Sequence, residues 1–218
     1  MKLKKFIEIK GTIVCETGLR IGGSKDDIEI GGMDNPIIRH PITREPYIPG
    51  SSLKGKQRSL LELKNGKFNQ DGRACACGEC DVCKIFGSLK NEISGPTRLL
   101  VRDAYLTEDS RIWLNEARLE SGIDFAEVKT ENWINRKTGK AGTGGLRTQE
   151  RVPAGTRFKY FATLRVFEGD DEQLFINKIK EALSLLQKDY LGSSGSRGYG
   201  KIRFEDLTID GKPVELGD

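Results

Sequence analysis

Cys75, Cys77, Cys80 and Cys83 stand in "CACGECDVC" at C-x-C-x2-C-x2-C spacing. Four thiolates this close can wrap one tetrahedral ion, and Gly78 lets the backbone turn between the pairs. Disulfides between cysteines so near in the chain would be strained, and a cytosolic setting disfavours them. An iron–sulfur cluster competes for the same ligands, but the terminal Cys-Pro of the bacterial ferredoxin run is missing. The pattern favours a structural Zn2+. A closed four-thiolate site has no open position for water, so it would pin a loop rather than react. Cys15, the fifth cysteine, falls in strand-like alternation and reads as core.

The other chemistry-bearing groups are cations and a few acids. Net charge is only +4, so a case for nucleic acid rests on local clustering. Residues 39–58 carry Arg39, Arg44, Lys54, Lys56 and Arg58 against Glu45 alone. Lys54 and Arg58 share one face of a predicted helix near its start, where free amides and the hydroxyls of Ser51 and Ser52 suit a phosphate. Residues 135–155 carry Arg136, Lys137, Lys140, Arg147 and Arg151 against Glu150 alone. "LGSSGSRGYGKIR", residues 191–203, adds Arg197, Lys201 and Arg203. Its Gly195-Ser196-Arg197-Gly198 run exposes backbone N–H groups that could follow a sugar-phosphate chain, and Tyr199 could stack on a base. Each cluster alone reads equally as a solvated face or a tight connection. Three together favour nucleic acid. The glycine-rich run lacks the G-K-[ST] ending of a nucleotide triphosphatase.

Asp34, in "GGMDNPIIR", lies between a glycine pair and an Asn35-Pro36 break. By spacing alone it reads as a turn residue. Asp103, Glu127, Glu131 and Glu150 read as structural acids or solvated strand charges. His40, the only histidine, reads as a surface or packing group.

The elements that must position these groups follow from periodicity. Ile7, Ile9, Gly11, Ile13 and Cys15 alternate with polar neighbours as a half-buried strand. "YIPGSSLKGKQRSLLELKNG" predicts a helix capped by Ser51 or Ser52 and stopped at Gly66. Strands are expected over 99–106, 125–133 and 158–166. A second helix should start at Asp170 or Asp171 and end near Gly192, before a last strand over 201–204. Strand, helix, strands, helix, strand is the ferredoxin-like pattern, an α+β fold with an antiparallel sheet and two helices on one face. The cysteine-rich stretch (67–96) and the basic stretch (135–156) are extra to that unit and read as insertions. With 218 residues the chain suits one domain with insertions. It has no membrane-spanning run, and MKLKKFIEIKG enters a strand rather than a signal core, so a cytoplasmic protein is expected.

"TGLRIGGS" (17–24), "DNPIIR" (34–39), "YIPGSSLKGKQRSLLE" (47–62) and "LGSSGSRGYGKI" (191–202), in this order, resemble the RAMP proteins of CRISPR systems. They are most similar to the backbone subunits of type III-A (Csm) effector complexes, over nearly the whole chain. The resemblance implies a ferredoxin-like core with a lid insertion (67–96) and a thumb insertion (135–156). It implies copies stacked into a helical filament on CRISPR RNA, beside other Csm subunits, with complementary target RNA cut next to each thumb. It implies Asp34 as the cutting acid with divalent metal, Mg2+, in support. Guide contacts fall on Ser51, Ser52, Lys54, Arg58 and the Gly195–Gly198 loop with Ser196 and Arg197, and zinc in the lid agrees with the four cysteines. Several relatives carry His where this chain has Arg20, which can grip phosphate but cannot act as a general base. A non-cleaving scaffold and a repeat-processing endoribonuclease remain as alternatives. The latter usually relies on a histidine and commonly doubles the fold.

Overall fold

The computed structural model describes residues 1–23, 36–122 and 124–217. Asp34 falls outside them. In chain order the first elements are β1 (Leu3–Cys15), α1 (Gly50–Asn65), α2 (Asp81–Phe86), α3 (Asn91–Ser94), β2 (Leu99–Val101) and α4 (Glu108–Ser121). The rest are β3 (Glu127–Glu131), β4 (Arg147–Arg151), β5 (Arg157–Phe167), α5 (Glu172–Lys188), β6 (Ile202–Ile209) and β7 (Lys212–Pro213).

Alternation in β1 sends Ile7, Ile9, Ile13 and Cys15 into the core while Phe6, Glu8 and Lys10 stay exposed. Registers Ile7↔Leu164, Ile9↔Ala162 and Ile13↔Phe158 with β5 keep apolar residues opposite apolar residues on that face. β6 flanks β1 on the other side, with Cys15 opposite Ile202. The sheet order is β2-β5-β1-β6-β7, all antiparallel. Without the short β7 hairpin partner, this is the strand order of the ferredoxin-like unit. α1 and α5 cover one face through Leu53 and Leu61 from the first and Phe175, Ile179, Leu183 and Leu186 from the second. No helix among the described residues is long and apolar enough to cross a membrane.

Four boundaries differ from the sequence reading. α1 begins at Gly50 after an N-cap position at Pro49 with no side-chain cap, so neither Ser51 nor Ser52 caps it. The carboxylate of Asp103 does so from outside the helix, accepting the Gly50 N–H at 2.7 Å. A Cβ on Gly50 would sit 2.5 Å from the Val101 carbonyl oxygen, so glycine permits the helix to abut the end of β2. The strand expected over 99–106 is regular only to Val101, with single bridges at Ala104 to Ile48 and Leu106 to Phe158. α5 is capped by Asp171, which accepts the Leu174 N–H at 3.0 Å, and stops at Lys188, short of Gly192. The last strand runs on to Ile209. α4 was not foreseen, because it buries little beyond Ser110 and Leu114 and carries no apolar stripe.

Two excursions leave this frame. Residues 66–98 leave α1, contain α2 and α3, and return at β2. Residues 102–156 contain α4 and the β3–β4 hairpin, in register from Glu127↔Arg151 to Glu131↔Arg147, with one further bridge, Ile134↔Ala141, toward the tip.

Candidate nucleic-acid interface and metal centre

The four sulfurs of Cys75, Cys77, Cys80 and Cys83 all lie within 4.8 Å of one another. Cys77 and Cys83 are 3.8 Å apart, sulfur to sulfur, which is the edge of a tetrahedron with bonds of about 2.3 Å. All five cysteines are free thiols. Local backbone builds the cage: Cys80 caps α2 and its sulfur accepts the Cys83 N–H at 3.5 Å. The Cys80 N–H points at the Cys77 sulfur at 3.4 Å, and this holds the Cys77 thiol down at about 6. Burial pushes Cys80 the other way, up to about 12. A cation would offset that penalty, since thiolates coordinated to a metal lose their protons outright. The set could hold a metal such as zinc. Cys15, fully buried, has its thiol raised to about 12 by burial and is plain core.

Loop 191–200 is held against the first loop of the chain. Arg20 donates from Nη1 to Ser193 Oγ at 2.7 Å, and the Ser193 N–H returns to the Arg20 carbonyl at 2.8 Å. The Gly200 N–H reaches the Gly18 carbonyl at 3.0 Å. Ser194 and Gly198 both take left-handed backbone on either side of the Gly195–Arg197 turn. Gly195 lies flat on Tyr190, where a Cβ would come within 2.0 Å of the ring. The opposite ring contact is the Lys56 ammonium, 3.8 Å from the centroid and 2.8 Å from Asp189. The resulting cavity, about 420 Å³, is bordered by Thr17, Lys188, Tyr190, Ser196 and Lys201, and by Asp189, whose carboxylate is paired with Lys56. Two lysines, two hydroxyls and a glycine-rich backbone make it a surface for an anion. Lys188, the last residue of α5, was not foreseen here.

Lys54 is the unbalanced cation of α1. Burial, then the charges of Arg58 and Arg165, pull its ammonium below the usual lysine range. It makes no ion pair among the described residues, so a phosphate would relieve the repulsion it bears. Arg58 is different, because its guanidinium is bonded to Glu62 and to the Cys75 carbonyl.

Several expected contacts are buried or already paired within the chain. Tyr199 is 1% exposed and cannot stack on a base. Lys129 and Arg151 lie over its ring at 4.6 and 5.0 Å. Arg197 spans from Ser194 Oγ (2.7 Å) to Glu131 (3.7 Å), tying the loop to the hairpin. Arg147 and Arg151 pair with Glu131 and Glu127, so the basic count of residues 135–155 overstates the hairpin's free charge. Arg39 lies with its side chain 7% exposed against Glu150 at 3.1 Å and belongs to no basic surface. The secondary acids are structural: Asp103 caps α1, and Glu127, Glu131 and Glu150 stand in these ion pairs. His40 closes a turn, accepting the N–H groups of Ile42 and Thr43 at Nδ1, and packs edge-on to Tyr105.

The described chain stops at Gly23 and resumes at Pro36, and these two ends touch: the Gly23 N–H donates to the Pro36 carbonyl at 3.1 Å. The Ile38 N–H donates to the Ile21 carbonyl at 2.8 Å, next to Arg20, which is the residue that holds Ser193 of the glycine-rich loop.

Fold and surface define a class: a ferredoxin-like sheet with a cysteine-bearing insertion, a basic hairpin and a glycine-rich loop shaped for an anion. The model of the RAMP superfamily matches residues 12–203. The CRISPR system Cms endoribonuclease Csm3 of Methanothermobacter thermautotrophicus is 46% identical, over 99% of this chain and 90% of its own length. The protein of the same name from Methanocaldococcus jannaschii is also 46% identical, over 99% of this chain and 85% of its own. A solved chain from the Csm3–Csm4 subcomplex in the type III-A CRISPR-Cas interference complex superposes with a TM-score of 0.61 at 35% identity, covering 96% of this chain and 80% of that one. This chain belongs to the RAMP superfamily and, within it, to the Csm3 family.

Proposed function

We propose that this chain is the repeated backbone subunit of a type III-A CRISPR effector complex, binding guide RNA and cutting complementary target RNA at regular intervals. The observation that supports it best is the meeting of three segments. Arg20 and its neighbours, the neck of the segment carrying Asp34, and the glycine-rich loop are laced together beside an anion-suited cavity. In this reading Ser51, Ser52 and Lys54 on α1 and the Gly195–Gly198 loop with Arg197 hold the guide backbone. Residues 67–96 form the lid, with zinc as its metal, and the hairpin about 135–156 forms the thumb, whose tip carries exposed Lys137 and Lys140. Other Csm subunits and further copies of this chain are the protein partners, and the cytoplasm is the setting.

The chemistry requires one acid. The target's 2′-oxygen attacks the adjacent phosphorus in line, forming a cyclic phosphate as the bond to the 5′-oxygen breaks. Asp34 takes the 2′ proton, and the departing 5′-oxygen acquires one from water. A divalent cation such as Mg2+ would supply charge neutralisation at the phosphate. The second reading, a scaffold that binds without cutting, is favoured by one feature: Arg20 replaces a histidine that several relatives carry.

Reconstitution with guide RNA and partner subunits tests the proposal. Complementary RNA should be cut at several evenly spaced sites, and Lys54→Glu should weaken guide binding about tenfold or more at low salt. Binding without any cut would leave the scaffold, and one cut within the guide's repeat would indicate repeat processing.

A further inference from the structure

Side chains of α1 hydrogen-bond the metal loop at Cys75, and both of that residue's backbone groups are held. The Arg58 guanidinium donates from Nη2 to the Cys75 carbonyl at 2.6 Å. The Glu62 carboxylate accepts the Cys75 N–H at 3.0 Å through Oε1. Arg58 and Glu62 are one helical turn apart and bond each other, Nε to Oε1, at 2.8 Å. The Cys83 thiol also points at the Cys75 carbonyl, 3.2 Å away. Both side chains are screened, with Glu62 6% and Arg58 19% exposed.

We propose that Arg58 and Glu62 are the positioning pair of the metal centre, clamping the Cys75 peptide to α1 so that its sulfur faces the other three, and that Arg58 is not a contact to RNA phosphate. This rests on the reading of the four cysteines as a metal site. The physical case is one of geometry and supply. Three of the cysteines, Cys77, Cys80 and Cys83, are brought together by the turn into α2 and its cap, through the N–H to sulfur bonds already described. Cys75 precedes that turn and has no helix of its own to orient it. Its orientation comes from α1, through one charge-assisted hydrogen bond to its N–H and one to its carbonyl, in the two peptide units that flank its Cα. Arginine suits the role because its planar fork spans Glu62 and the Cys75 carbonyl at once, whereas a lysine reaches one of them. Glu62 and Arg58 also neutralise each other, so the clamp adds no net charge beside four thiolates. Groups that fix the ligands of a metal commonly matter ten- to a hundredfold for its affinity.

The pair also places Lys54. It lies one turn before Arg58 on the same helix face, so the metal loop and the unbalanced lysine share a rigid element. Arg58 then contributes to the anion surface only through the repulsion it exerts on Lys54.

The test uses the full chain, loaded with Zn2+, and measures three things: metal per chain by elemental analysis, the rate of Zn2+ transfer to a chromogenic chelator, and the salt dependence of guide-RNA affinity. Wild type should hold about one Zn2+. Arg58→Ala and Glu62→Gln should each release Zn2+ about tenfold faster or more, and the double variant no faster than the worse single one, because they act as one clamp. Arg58→Lys should fall between wild type and Arg58→Ala. Lys54→Ala should leave Zn2+ release unchanged while lowering the salt slope of RNA binding. If Arg58→Ala keeps wild-type release and lowers that slope by about one, Arg58 is a phosphate contact and the inference is overturned. Should Arg58→Ala fail to fold, wild-type release from Glu62→Gln, which keeps the side chain's volume, overturns it equally. A wild-type chain that binds no Zn2+ overturns the metal reading itself, and with it the inference.

Discussion

Asp34→Ala is expected to leave guide and target binding intact in the assembled complex while target cutting falls below detection, a loss of roughly 10²–10⁴-fold for removal of a proton-transfer group. Asp34→Asn should do the same, since the amide keeps the shape but neither takes a proton nor carries the charge that would hold a cation. The expectation is sharpened by the fate of the other acids. Asp103 is held by the Gly50 N–H, Glu127 and Glu131 by Arg151 and Arg147, and Glu150 by Arg39 and the Ile37 N–H. Each already has a partner within the fold. Asp34 instead stands on the segment whose two ends meet beside Arg20 and the glycine-rich loop. Gel-resolved cleavage with parallel filter binding separates the two effects. Retained cutting at the regular sites by Asp34→Ala would end the assignment of the acid. Lost binding by that variant would make Asp34 a residue needed for binding rather than for cutting.

The frame was legible because its signals are local and periodic. β1 and β5 alternate cleanly, and α5 carries a full apolar stripe behind an aspartate cap. The four-cysteine spacing announced its own geometry. What stayed hidden depends on partners distant in the chain. Asp103 caps a helix 53 positions away, so Ser51 and Ser52 looked like the caps. The arginines of β4 were counted as a basic patch because their acids sit on β3, outside the window read. Tyr199 looked like a base-stacking ring because nothing near it in sequence announces the two cations that bury it. The bonds of Arg58 to Glu62 and to the Cys75 carbonyl were hidden for the same reason. Charge read along a chain gives the supply of cations, and only the fold shows which of them are already neutralised.

Asp170→Ala is expected to destabilise the chain by about 3–5 kcal/mol, the usual consequence of leaving one partner of a buried ion pair alone. On a chain of this size that lowers the melting temperature on the order of 10 °C. Arg98 meets Asp170 twice, Nε to Oδ2 at 3.1 Å and Nη2 to Oδ1 at 2.9 Å, with side chains 4% and 5% exposed. The remaining guanidinium nitrogen caps the Ser94 and Pro96 carbonyls at 2.5 and 2.7 Å, and Asp170 Oδ2 also takes the Phe167 N–H at 2.9 Å. The pair therefore joins the exit of the cysteine-rich excursion to the turn between β5 and α5. Burial alone would raise the Asp170 carboxyl, but the Arg98 hydrogen bonds, the Phe167 amide and the charges of Arg98 and Lys84 together hold it below the ordinary aspartate range. A depressed carboxyl stabilises the fold above its unfolded value near 3.9 and ceases to do so as pH falls through the folded value. The stability gap between wild type and Asp170→Asn, measured by denaturant titration, should accordingly be full at pH 7 and narrow below about pH 4. Arg98→Met should cost a similar amount, and the double variant distinctly less than the sum, since neither charge is then left unpaired. A gap under about 1 kcal/mol at pH 7 would place the pair with exposed ones and would mean that the excursion is held by other contacts, Arg165 to the Thr97 carbonyl first among them.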